Sequence, residues 1–117
     1  MDTAKAAELL AAERSRIEAQ LTRLGAEFAP GSPDSLANDT DYGDAAFDLQ
    51  ERERDSGRIE ELRAELAAVA RAEQRLADGT YGLSVESGDP ISEARLERLP
   101  AAERTPEEQR RFERLGG

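Results

Sequence analysis

Ala7, Leu10, Arg14, Ile17, Leu21, Leu24 and Phe28 follow one another at steps of three and four residues, with Arg14 the one charged interruption. This spacing predicts an amphipathic helix from Thr3 to about Phe28, roughly 39 Å long at ~1.5 Å per residue. A second stripe, Ile59, Leu62, Leu66, Val69, Glu73 and Leu76, alternates in the same way and is also broken once, at Glu73. It predicts a long helix from Asp41 or Asp44 to Asp78, with Gly79 as the stop residue. Between the two lies "APGSPDSLANDT", a run of turn formers that reads as a connecting loop. Neither helix can bury its stripe alone, so the pair is expected to fold back as an antiparallel coiled coil. Ala45 would then lie near Phe28 and Ile59 near Arg14. Arg14 would pair with Asp55 across the seam, or the two would remain independent solvated charges.

After Gly79 the pattern becomes compact. "TYGLSVESGDPI" places Gly82 and Gly88 around two small residues three apart, Ser84 and Ser87, which is the turn grammar of a metal knuckle without a thiol. A short helix is expected from Ser92 to about Leu99, then Pro100. A last helix starts at Thr105-Pro106-Glu107-Glu108, where Thr105 as N-cap, Pro106 at N1 and Glu108 at N3 form a capping box. The expected organisation is therefore residues 1–79 as the coiled coil, with its tip loop at about 29–43, and residues 80–117 as a small finger-like module with a short hairpin and helices. The fold class is mainly all-α.

Composition narrows the chemistry. The 117 residues are 38% hydrophobic, 4% aromatic and 36% charged, with mixed runs such as Glu51-Arg52-Glu53-Arg54 that suit solvated helix faces. Without cysteine or histidine, thiolate catalysis, disulfides, Ser-His chemistry and the usual structural zinc sites are excluded. The net charge of −10 argues against direct nucleic-acid binding and for a protein partner. No signal-like or membrane-spanning run is visible, so a cytoplasmic protein without membrane contact is expected. No nucleophile–base pair or phosphate-cradling loop suggests an enzyme, and no catalytic residue is assigned.

The run "LADGTYGLSVESGDPISEARLERLP" resembles the C-terminal finger of the DksA/TraR family of bacterial transcription factors, a C4-type zinc-finger family. Tyr81, Gly82, Gly88, Ile91, Arg95, Leu96, Glu97 and Pro100 match its pattern in register. The four zinc-cysteine positions fall on Ser84, Ser87, Thr105 and Glu108. The resemblance therefore implies a degenerate, metal-free finger with no zinc cofactor, braced instead by the capping box and a miniature core of Leu83, Val85, Ile91, Leu96, Leu99, Phe112 and Leu115. With Leu99 and Gln109 where alarmone-responsive members carry basic residues, guanosine tetraphosphate is not an expected ligand.

"DYGDAA", Asp41 to Ala46, resembles the Asp-x-x-Asp-x-Ala motif at the coiled-coil tip of the same family. The two aspartates also have a local role, since acids at a helix start cap it and complement its dipole. The order of ligands and the closing glutamate of a calcium loop are missing. By resemblance, Asp41, Asp44 and Ala46 are the polymerase-interacting tip, entering the secondary channel of RNA polymerase to modulate initiation, and a monomer is expected. Two other readings stay open: a Gre-like elongation or transcript-cleavage factor, whose tip acids would hold a second magnesium, and a coiled-coil adaptor for a different protein.

Overall fold

The computed structural model describes residues 1–26 and 45–116, with side chains in the second helix from residue 54 onward. Helix α1 runs Thr3–Arg23. Asp2 starts it: the Lys5 backbone N–H donates to Asp2 Oδ1 at 2.7 Å, satisfying one of the amides a helix start leaves open. The helix ends earlier than the stripe predicts. Gly25 takes φ +77°, and the Ala26 N–H reaches back to the Leu21 carbonyl at 2.9 Å. This six-to-one closure is a Schellman stop, and glycine is the residue that adopts it without a Cβ penalty. Leu24 is therefore not a helical core position: the periodicity extends the stripe past a backbone terminator. Phe28 lies outside the described residues, as does the connecting loop.

Helix α2 spans Ala45–Asp78 and closes in the same way, with Gly79 at φ +85° and the Thr80 N–H on the Arg75 carbonyl at 2.9 Å. Helix α3, Glu93–Arg98, is capped by Ser92, whose hydroxyl accepts from the Arg95 N–H. Helix α4, Pro106–Arg114, carries the predicted capping box of Thr105 and Glu108 in full. The β pairing among the described residues is one isolated antiparallel bridge, Leu83 with Pro90, where a short hairpin was expected.

The chain divides into two compact units, Met1–Arg14 with Ala67–Gly117, and Ser15–Leu66. In the second, Ile17, Leu21 and Leu62 are fully buried. Arg16 pairs with Glu65 at 3.5 Å, and Arg58 donates to Gln20 at 2.9 Å, so the helices run antiparallel there. In the first, Ala6, Leu10, Val69 and Ala72 form the helical part of the core, and Ile91 and Leu96 the finger part. Ala6 takes the buried place that the stripe gave to Ala7. The seam passes through Ala72 at the point where Glu73 would have broken it.

Both interruptions of the stripes meet. Arg14 donates two hydrogen bonds to Glu73, at 3.1 and 2.6 Å, a fork on a carboxylate with both side chains about two-thirds buried. The expected partner Asp55 is replaced by a residue much further along α2. The physical reason is register: an apolar stripe fixes which face is buried but says little about how far one helix slides along the other. The two polar defects fix it by being cheapest to bury together.

Candidate functional site

The finger begins where α2 stops. Gly82 has φ +88°, the left-handed conformation that glycine adopts without a Cβ penalty, so it serves the turn; a Cβ there would meet Leu96 Cδ1 at an ordinary contact of 3.6 Å. The Ile91 N–H bonds to the Gly82 carbonyl at 2.8 Å, the Ser84 N–H to the Asp89 carbonyl at 2.8 Å, and the Gly88 N–H to the Ser84 carbonyl at 3.0 Å. These bonds close a knuckle from Gly82 to Ile91. Tyr81 fastens its base: the hydroxyl donates to the Pro100 carbonyl at 2.8 Å, and burial pushes the phenol above its ordinary pKa.

Inside the knuckle Ser84 is buried and doubly accepting. Its Oγ takes the N–H of Glu86 at 3.0 Å and of Ser87 at 3.2 Å, then donates its own proton to Glu108 Oε1 at 2.6 Å. The same Oε1 accepts the Thr105 N–H at 3.0 Å, while Thr105 Oγ1 accepts the Glu108 N–H at 3.3 Å. The four positions assigned to lost zinc ligands are thus brought together. Bonds from Ser84 first, then Ser87 and Thr105, outweigh burial and hold the Glu108 carboxyl at about 2, below its ordinary 4.5.

A second cluster ties the finger to α2. Glu103 receives Arg71 at 2.8 Å and Arg75 at 3.4 Å, and its carbonyl accepts the Val85 N–H at 2.9 Å. Burial raises its carboxyl, but the Arg71 hydrogen bond and the charges of Arg71, Arg75 and Arg104 leave it below its ordinary pKa. Arg104 lies 3.6 Å from the centroid of the Phe112 ring and reaches Glu86 at 2.7 Å; Arg111 also pairs with Glu86, at 3.5 Å.

The expected miniature core is only partly present. Ile91 and Leu96 are buried and Phe112 is half-buried under Arg104, but Leu83, Val85, Leu99 and Leu115 are exposed, Leu115 by 81%. Polar and ionic bonds hold what the sequence assigned to those side chains. Of the tip residues, Asp41 and Asp44 lie outside the described residues; Ala46 falls in the first turn of α2, its side chain likewise outside them.

No family model matches the chain. Two curated relatives do: the RNA polymerase-binding transcription factor DksA from two strains of Caulobacter vibrioides, each 38% identical over 71 residues. Those residues are 61% of this chain and 45% of each relative, so the match spans less than half the length of the curated relatives. Among solved structures, transcription factor DksA2 from Pseudomonas aeruginosa superimposes with a TM-score of 0.74 at 26% identity, over 97% of this chain and 84% of that one. In sequence and in fold the chain is similar to these DksA-type transcription factors.

The DksA/TraR finger implies zinc, and the residues here do not fit it. Structural zinc takes thiolates and imidazoles, whereas this set offers three hydroxyls and one carboxylate. Those atoms are already committed to one another: the Ser84 oxygen accepts two amides, and Glu108 Oε1 accepts a hydroxyl and an amide.

Proposed function

We propose that this chain is a non-enzymatic, cytoplasmic transcription regulator that binds RNA polymerase through the secondary channel and acts on initiation with the acids of its coiled-coil tip. The observation that carries this reading is the joint likeness, in sequence and over nearly the whole fold, to transcription factors of the DksA type. Asp41, Asp44 and Ala46 match the tip motif of the family, and an acidic chain suits a channel that must attract nucleotides and so carry positive potential. Acidic groups delivered near the catalytic magnesium would shift the mobile elements around it and alter promoter-complex lifetime without a DNA contact.

Asp44→Asn tests the tip. Asparagine caps a helix about as well as aspartate, so the substitution removes charge and spares the helix start. Both proteins should bind polymerase, and only the wild type should change the lifetime of the open promoter complex. A variant as active as the wild type would contradict the assignment of Asp44. Stimulated cleavage of backtracked RNA, lost in the variant, would instead favour the cleavage-factor reading.

A further inference from the structure

We propose that the four former zinc positions form a carboxylate-centred clasp, in which Glu108 ties the knuckle to the start of α4 by gathering the hydrogen-bond donors around it. The electrostatic design is the inverse of a thiolate finger. There, one cation gathers four anionic ligands; here, one anion gathers hydroxyl and amide donors.

Three observations lead to this. Ser84 and Glu108 are the two buried polar residues in the core of the described chain, 5% and 8% exposed, and they are partners. Because Ser84 Oγ accepts two backbone amides, its own proton is directed to Glu108, and 2.6 Å is the length of a charge-assisted O–H···O bond. Finally, Glu108 closes a capping box within α4 and simultaneously crosses to a residue 24 positions earlier. A glutamate that only capped its helix would need neither burial nor Ser84. The clasp is independent of which partner the protein binds.

Amide exchange at Ser84 and Ile91, whose N–H groups close the knuckle, reads the clasp locally. Glu108→Ala should reduce their protection about tenfold or more, the scale of losing a hydrogen bond to a charged group. Ser84→Ala should reduce it as well, and the double variant should lose less than the two single losses combined, because each removes the same bond. Additive losses would overturn the proposal, and so would an unaffected knuckle in Ser84→Ala. Convergence of all four positions is tested by Ser84→Cys, Ser87→Cys, Thr105→Cys and Glu108→Cys in one chain. That variant should bind one zinc ion per chain and melt lower in EDTA, while the wild-type melt ignores EDTA. A variant that takes up no zinc, or a wild type that EDTA destabilises, would contradict the clasp.

Discussion

Leu62→Ala is expected to lower unfolding free energy by ~2–5 kcal/mol, the range for a fully buried leucine cut to alanine. Leu62 is 0% exposed, as are Ile17 and Leu21 across the seam, so the lost side chain leaves a cavity lined by residues on two helices. Domains are stable by only ~5–15 kcal/mol, which makes this a large fraction of the total. Leu115→Ala is the control: at 81% exposure it should stay within ~0.5 kcal/mol. Urea unfolding followed by helix content measures both. Equal effects would show that the buried seam is not what holds the helices together.

Acid should open the finger, and the sign follows from Glu108. Its carboxyl is held at about 2 in the folded chain against an ordinary 4.5, so the folded state favours the ionised form. The stabilisation is complete above the ordinary value and is lost as pH falls through the folded one, over a window from about 4.5 to 2. The donors facing the carboxylate, Ser84, Ser87 and Thr105, do not titrate in that range. The charged neighbours in the finger are Glu86, held by Arg104 and Arg111, and Glu103, held by Arg71, Arg75 and Arg104. Glu103 is also depressed and adds loss of the same sign. Ile91 amide protection should therefore fall across this window in the wild type. Glu108→Gln keeps an acceptor at the N3 position but no titrating group, and its profile should be markedly flatter. Identical profiles would assign the acid response to Glu103 or to other carboxylates.

The elements were legible in the sequence to different depths. Helical period marked the buried face of α1 and α2 because packing one face of a helix is a local requirement, repeated every turn. The register was not legible. Arg14 and Glu73 each looked like a defect in its own stripe, and nothing local says that two defects 59 positions apart will meet. The end of α1 was missed because Leu24 continued the period, whereas Gly25 decided the backbone. The capping box of Thr105 and Glu108 was readable at once, since both partners sit within one turn. The bond from Ser84 to Glu108 was invisible for the opposite reason: only the fold joins the knuckle to α4. The same long-range bonds explain why Leu83, Val85, Leu99 and Leu115 were misjudged as core. A finger without thiol ligands was expected to need apolar burial, and this one uses buried polar and ionic contacts instead.

The most direct test of the functional reading is binding of the purified chain to purified RNA polymerase, measured by co-migration over a titration. A saturable complex with one chain per polymerase is the predicted result, retained in Asp44→Asn under the proposal that the tip acids act after docking. Absence of a complex at saturating protein would mean that the DksA-type fold persists here without that partner, and the adaptor reading would replace the regulator.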